Sequence, residues 1–503
     1  MPKLPLLAGS RVAILNAPDD VLLLRPRPPR EPVADVAAAV RDALRFPLAG
    51  RSLEELVRLH PGRSGRATIV VEPRELPLPG VTADPRREAL AGVIEELERL
   101  GLPTERQTVL VAGGLSQRVG QRDLEQLLAP IVARRFRGRV EAHDAESPDL
   151  VLLDGTGRTS LRVSPHLVET DLVIVVSAAE TVLHGGPATL LGACGAESLR
   201  AASAYSLLET AASRGWTLAV EAERLLSERV PLIGASLVLN PPRLTGAFRG
   251  FPHEPGSEEH VVRSPFRRAF GALPRAARRR VLRELNSEVT AVSAFAGPPS
   301  VAHVEALLRA VDHRAVALEA PLDAIVIGAP WTTVHRPRET PNPLTVAAAT
   351  LGLALRLWRD AFPVVDGGTA VILHGFTRTF ARPSQQPYHA FFQALRDGLE
   401  PQVLAAAEQT LGRAPDAIAA YREGRACHPL QPFVDWSDCG PALGRLGAVV
   451  VAGCRDAQAA RTLGFVPTHG PSAGLAMAYG RAGAGARVGV LAAPPYFPLV
   501  VGP

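Results

Sequence analysis

Lysine is nearly missing from this chain. Of 55 basic residues among 503, only Lys3 is a lysine, and it stands in the N-terminal tail. No internal amine is therefore available for a Schiff base with pyridoxal phosphate or an aldol substrate. A Gly-Lys-Ser/Thr phosphate loop is excluded on the same ground. The four cysteines, Cys194, Cys427, Cys439 and Cys454, have no CxxC spacing, so neither a zinc knuckle nor a disulfide framework is indicated. A membrane span needs about 18 or more apolar residues in a row, and no such run exists. The start, MPKLPLLAGS, is too short and too weakly charged for a signal peptide, so the expectation is a cytoplasmic protein with no membrane contact. Aromatics make up only 5% of residues. The most arginine-rich stretch, Arg263 to Arg283, has no aromatic platform interleaved with Arg267, Arg268, Arg275, Arg278, Arg279 and Arg280. It reads as the solvated face of a helix and a short linker, and no nucleic-acid partner is expected.

What is present points to a globular α/β protein. Hydrophobic residues are 47% of the chain and the net charge is only +5, so sizeable cores can form. Short apolar runs rich in β-branched residues alternate with helical periodicity, the pattern of a mostly parallel sheet covered on both faces. Strands are predicted at Ala67 to Val71, Thr108 to Ala112, Arg139 to Ala142, Leu150 to Leu153 and Leu172 to Val176. Helices are predicted at Arg86 to Leu100, Asp123 to Arg134 and Glu197 to Arg214. Val12 to Leu15 and Val21 to Leu24 read as a hairpin or paired edge strands. The stretch Pro241 to Pro274 is rich in Pro, Gly, Arg and His without a sustained period, as in a linker or surface excursion. Beyond it the alternation resumes, with strands at Ala324 to Ile327, Thr369 to Leu373, Ala448 to Ala452 and Arg487 to Leu491. The helical stretches there are Leu344 to Trp358 and Pro387 to Tyr421. The fold class is thus α/β, with two doubly wound domains and an interdomain cleft. Residues 1–240 and 301–503 form the domains, and 241–300 a linker with a helical excursion.

In such sheets ligands sit beyond the carboxyl ends of the strands. The loop after Leu172 to Val176 holds His184, Gly185 and Gly186. The loop after Thr108 to Ala112 is Gly113-Gly114-Leu115-Ser116-Gln117-Arg118, which lacks GxGxxG spacing and so gives little support to a nicotinamide cofactor. Val71-Glu72-Pro73-Arg74-Glu75-Leu76-Pro77 follows the first strand, and its Arg74 could grip a carboxylate with two hydrogen bonds. In the second domain His374 ends a strand, and Trp331 and His335 follow another. His143-Asp144 reads as a buried, hydrogen-bonded histidine rather than a chelate, because neighbours on a strand point to opposite faces. Cys427-His428 likewise reads as structural, and no metal site is expected.

The order of these motifs resembles the lactate racemase family over nearly the whole chain. The resemblance rests on Arg51-Ser-Leu-Glu-Glu-Leu, on Gly185-Gly186 with Gly195-Ala-Glu-Ser-Leu, and on Asp323-Ala-Ile-Val-Ile. It continues through Asp366-Gly-Gly-Thr and Arg461-Thr-Leu-Gly-Phe to Pro494-Pro-Tyr-Phe-Pro. It implies two α/β domains with cofactor and substrate between them. It also implies a nickel-pincer nucleotide that racemises or epimerises 2-hydroxy acids. The residues that run that chemistry are replaced. The family's substrate arginine falls on Leu76, its catalytic histidines on Ser116 and Val182, its cofactor-tethering lysine on Ala188 and its nickel-ligating histidine on Ser203. Serine has too high a pKa to stand in for a histidine base unaided.

The expectation is therefore a divergent member acting on or binding a small 2-hydroxy or related carboxylic acid. Its catalytic residues would be His184 and His374. Arg74, Ser116, Gln117, Arg118, Trp331 and His335 would contact the acid, and Gly185 and Gly186 would lie against any cofactor. Two alternatives stand beside it: a non-catalytic scaffold that kept the fold, and a racemase holding a nickel cofactor non-covalently.

Overall fold

The computed structural model describes residues 2–59, 65–73, 84–120, 127–154, 160–245, 248, 250–283, 287–331, 339–381 and 383–502. Two six-stranded sheets organise them. In the first, the strand order is Ala291–Gly297, Leu232–Leu239, Leu172–Ala178, Ala67–Val71, Gln107–Val111 and Arg139–Ala142. Its strands are parallel except Ala291–Gly297, which runs antiparallel along one edge. In the second, the order is Val466–Thr468, Ala448–Ala452, Val364–Leu373, Leu322–Gly328, Val488–Leu491 and Leu22–Leu24, all parallel.

Side-chain alternation explains the layering. Ile69, Val109, Val111, Ile174 and Val176 enter one apolar cluster, while their neighbours Val70, Leu110, Val173 and Val175 enter another. Both faces are thus buried, which is why the runs read as continuously apolar. The second sheet repeats this, with Ile325, Ile327, Ala370 and Ile372 on one face and Ala324, Val326, Val371 and Leu373 on the other. One cluster includes residues of both sheets, so the halves share apolar packing.

Several expectations need correction. The N-terminal hairpin is Lys3–Ala8 paired with Arg11–Asn16, and Leu22–Leu24 instead extends the second sheet beside Val488–Leu491. Leu4, Leu6 and Leu15 are buried against the second sheet, which fixes that hairpin's register. Val151–Asp154 leaves the main sheet and forms a separate hairpin with Ser160–Val163. The expected helix Glu197 to Arg214 is two helices, Ala196–Ala201 and Arg214–Ser227, the second capped by Ser213. The strand Leu232–Leu239 has no counterpart in the sequence reading, because Gly234, Ala235 and Ser236 interrupt its apolar run. Those small residues are needed: a Cβ on Gly234 would lie 2.8 Å from the Cα of Pro299. The stretch Pro387 to Tyr421 is three helices, Gln386–Ala394, Pro401–Leu411 and Pro415–Arg422, each opened by a proline in its first turn. The expected helix Asp123 to Arg134 lies partly outside the described residues, and its described part is Pro130–Arg135.

Candidate functional site: two strand-end centres

The residues expected to meet in one cleft fall into two groups with different neighbours. The first lies at the carboxyl end of the first sheet. His184 is half-buried, with Nδ1 3.4 Å from the Thr181 hydroxyl. Beside it is Glu72, a residue to which the sequence assigned no role. Its Oε2 accepts the Gly185 N–H at 2.9 Å and the Thr189 hydroxyl at 3.0 Å, while its buried Oε1 has no partner among the described residues. Burial raises the Glu72 pKa above the usual carboxylate range, against the opposing pull of His184 and Arg86. Arg86 in turn contacts Asp84 at 3.1 Å and Glu180 at 3.5 Å. Glu72 immediately follows the strand Ala67–Val71, and that position was the signal that could have found it.

Gly185 and Gly186 do not form an open cradle. The Gly185 N–H is taken by Glu72, and the Gly186 N–H donates to the Ser177 hydroxyl at 2.8 Å. Their α-carbons pack on the buried His303, whose Nε2 lies 2.9 Å from the Thr181 carbonyl. Both glycines have positive φ, 101° and 54°. A Cβ on Gly186 would sit 2.3 Å from His303 Cβ. Gly186→Ala is expected to cost about 2–3 kcal/mol from left-handed backbone strain plus overpacking. A urea midpoint within error of the parent would contradict this packing.

Gln117 and Arg118 face the second domain, while the half-buried Ser116 donates its backbone N–H to Gly113 O within the loop. The Gln117 amide donates to the Gly424 carbonyl, and Arg118 donates to the carbonyls of Arg422 and Ala142. Tyr421 hydroxyl donates to Gly114 O at 3.0 Å and accepts Ala145 N–H at 3.1 Å. His428 packs its ring 3.0 Å from Glu146, and its N–H donates to Leu115 O. Leu115, Ala145, Ala196 and Tyr421 form a small apolar cluster across this contact. The loop is therefore held against the second domain, although only Leu115 of residues 113–118 is fully buried. Arg74 and His335 lie outside the described residues. His143 is buried, with Nε2 2.8 Å from Cys194 O, as its strand position suggested. No group of three or more metal-ligating side chains occurs among the described residues.

The second centre lies at the end of the second sheet. His374, at the end of Val364–Leu373, is 7% exposed, and its Nδ1 has no hydrogen-bond partner among the described residues. The turn of the N-terminal hairpin rests on it: a Cβ on Gly9 would be 3.0 Å from His374 Nε2. Trp331 is 5% exposed, and its indole N–H also has no partner among the described residues. These two residues share a narrow recess of about 20 Å³ with Gly9, Ser10, Arg275 and Arg279. Burial pushes the His374 pKa down to about 4, and Arg275 and Arg455 push the same way. The ring is therefore a neutral acceptor at neutral pH. Arg11, Arg275 and Arg455 repel one another, and none has an acidic partner within salt-bridge distance among the described residues. Glu339, a carboxylate on this wall, receives the Gln385 amide at 3.0 Å.

The stretch Arg263 to Arg283 was expected to be a solvated helix face and linker, and Arg263, Arg268, Arg275 and Arg280 are exposed. Arg278 departs from this: it is buried, donating to the carbonyls of Ser10, Gly271 and Leu273, and so clamps the helix to the hairpin. That clamp brings Arg275 and Arg279 to His374.

The family's cofactor can be tested against these positions. Ala188, where the tethering lysine would stand, is 5% exposed within the apolar cluster of Leu190, Leu191 and Ala219. Val182 is fully buried. The Ser203 carbonyl receives the Gly215 N–H at 2.8 Å, and its side chain brings no nitrogen to a metal. The residues present do not fit a tethered nickel-pincer nucleotide.

The comparisons with known proteins agree with this architecture. Residues 9–194 match the family model of the lactate racemase N-terminal domain. The lactate racemase apoprotein from Thermoanaerobacterium thermosaccharolyticum has a similar structure, with a TM-score of 0.62 and 13% identity. That match covers 99% of this chain and 100% of the other. A crystal structure of a Thermotoga maritima protein matches with a TM-score of 0.50 and 12% identity, over 94% of this chain and 100% of the other. No curated protein sequence matches the chain. Fold and strand-end loops together define a two-domain α/β protein with the lactate racemase architecture. Residues 9–194 are thus similar to the lactate racemase N-terminal domain, and the chain as a whole shares the fold of the lactate racemase apoprotein.

Proposed function

We propose that this chain binds a small 2-hydroxy or related carboxylic acid and does so without a covalently tethered nickel-pincer cofactor. The observation that supports this most is the buried His374 Nδ1, which has no hydrogen-bond partner among the described residues, beside Arg275 and Arg455, which have no acidic partner among them. An arginine fork satisfies a carboxylate with two charge-assisted hydrogen bonds. Neutral His374 would accept the hydroxyl proton of the same acid in a hydrogen bond. His184 and Glu72 form a separate polar centre, and the proposal assigns the acid to the His374 end.

A thermal-shift screen with lactate, glycolate and their longer homologues tests the reading. Stabilisation by at least one acid is expected, and Arg275→Ala should weaken that binding roughly tenfold, the loss of one charge-assisted contact. If no acid shifts the melting temperature, acid binding is wrong. That result would favour a scaffold role, which the contact of Gln117 and Arg118 with residues 421–428 already suits.

The absence of a tether gives a further expected result. Protein co-expressed with the cofactor's biosynthetic enzymes should purify with nickel far below one equivalent. Stoichiometric nickel by elemental analysis would restore the reading of a racemase with a non-covalently held cofactor.

A further inference from the structure

Many arginines on this chain sit beside acids: Arg41 meets Glu95 at 2.8 Å, Arg200 meets Glu408 at 2.7 Å and Arg263 meets Glu259 at 3.1 Å. The arginines around His374 differ. Three elements bring them together. Arg11 follows the hairpin turn, where the Ser10 carbonyl accepts from Arg278 at 3.1 Å. Arg275 opens the helix Arg275–Arg283 and lines the recess with His374. Arg455 follows the strand Ala448–Ala452 and lies on Gly375, the residue after His374: a Cβ there would be 3.5 Å from Arg455 Nε. All three are exposed. Desolvation, then the neighbouring charges of Arg455 and Arg278, lower the pKa of both Arg11 and Arg275. Arg278 is bonded to carbonyls, so its charge is not cancelled there. The adjoining carboxylates are engaged: Glu339 receives the Gln385 amide at 3.0 Å, and Asp456 pairs with Arg378 at 2.6 Å. Arg275 also stands in a helical first turn without an acidic residue, a cation where the helix dipole favours an anion. Like charges gathered in this way cost stability, and a bound anion removes that cost.

The recess itself, about 20 Å³, has room for one water-sized group such as a hydroxyl. The anionic groups of a ligand must therefore stay at its mouth, among the arginines. We infer that the acid this protein takes carries a phosphate as well as its carboxylate: the hydroxyl enters the recess at His374, Arg275 takes the carboxylate, and Arg11 with Arg455 takes the phosphate. One carboxylate satisfies a single guanidinium fork, whereas a phosphate dianion has three terminal oxygens and can meet two. Lactate would leave Arg11 and Arg455 repelling each other. This inference rests on the acid-binding reading and names its ligand class.

Isothermal titration of the full chain with lactate, malate, 3-phosphoglycerate and inorganic phosphate tests it. At low salt 3-phosphoglycerate should bind roughly tenfold tighter than lactate, and the gap should narrow in about 0.5 M sodium chloride, where exposed charges are screened. Arg11 is exposed on a hairpin strand, so Arg11→Ala should keep the fold. It should weaken 3-phosphoglycerate roughly tenfold and lactate less than about twofold. Without ligand, this variant should melt no lower than the parent, because a repelled cation has been removed; a clear fall would show that Arg11 serves the fold and would overturn its assignment. If lactate binds as tightly as 3-phosphoglycerate, the phosphate assignment fails while acid binding stands. If malate matches 3-phosphoglycerate, the second group is any carboxylate and the inference is overturned. If inorganic phosphate alone matches it, the His374 end has no part in recognition and the inference is overturned as well. If none of the four binds, the acid-binding reading fails with it.

Discussion

Replacing Arg356 by methionine should remove about 3–5 kcal/mol of stability, the usual cost of breaking a buried charged cluster from one side. Arg356 is 1% exposed and tops the volume ranking of fully buried side chains. It lies in the helical stretch that begins at Pro343 as α-helix and continues as π-helix and 3-10 turns. Its guanidinium donates to Gly352 O at 3.0 Å, pairs with Asp438 at 2.9 Å and donates to Ala204 O in the first domain. The surrounding segments are stitched as well: Leu207 N–H donates to Arg356 O at 2.9 Å, and the Ser206 hydroxyl donates to Trp358 O. Methionine would keep much of the volume but leave the Ala204 carbonyl unpaired and Asp438 without its cation. Arg356→Lys should recover only part, since one ammonium cannot reproduce the planar fork. Urea midpoints of the parent and both variants provide the measurement, and a loss under about 1 kcal/mol would show that the arginine does not hold the halves together.

Acidification from pH 7.5 to 5 should destabilise the protein, by an amount on the order of a few kcal/mol. His143, His303, His313 and His374 are all buried, and desolvation is the largest cause pushing each pKa down to about 4. In the unfolded chain each titrates near 6.5. Below that pH the unfolded state therefore binds protons that the folded state refuses. The histidine contribution is intact above about 6.5 and is lost progressively as pH falls toward 4. Two carboxylates act in the opposite sense. Burial pushes Glu223 up to about 7, against its hydrogen bonds from Ser300, and Glu72 moves in the same direction. Folded, they hold protons that the unfolded chain releases above about 4.5, so they favour the fold more as pH falls. Four histidines outnumber two carboxylates, which sets the net sign. Thermal midpoints at pH 7.5, 6 and 5 decide it, and a flat or rising series would refute the burial of these imidazoles.

The alternation of strands and helices was legible in residue order because each sheet is buried on both faces. Ala67–Val71 and Ala448–Ala452 are uninterrupted apolar runs, and the sequence locates them to the residue. Leu232–Leu239 was hidden because its small residues serve a neighbour, Pro299, that is far away in sequence. Leu22–Leu24 was given the wrong partner because pattern reveals a strand but not what it pairs with. The candidate site was legible only in pieces. His374, Trp331 and His184 could be picked out at strand ends, yet nothing in their spacing shows that His374 and Trp331 share a recess and His184 does not. The arginines of Arg275–Arg283 were assigned to solvent from composition, which could not single out Arg278 as the buried one.

The sequence by itself determined the α/β class and the resemblance to the lactate racemases, on which rests the expectation that Ala188, Ser116, Val182 and Ser203 stand at positions the family uses for chemistry. Those follow from local period and residue identity, which need no three-dimensional partner. Only the tertiary structure decided that Tyr421 is hydrogen-bonded to the loop 113–118 and that Leu244, Phe248, Phe251 and Leu282 line one apolar face beside the N-terminal hairpin. It alone showed Arg278 clamping a basic helix over a strand-end histidine. Those features depend on contacts between residues hundreds of positions apart, and burial, which sets their charge and chemistry, exists only once the chain has closed on itself.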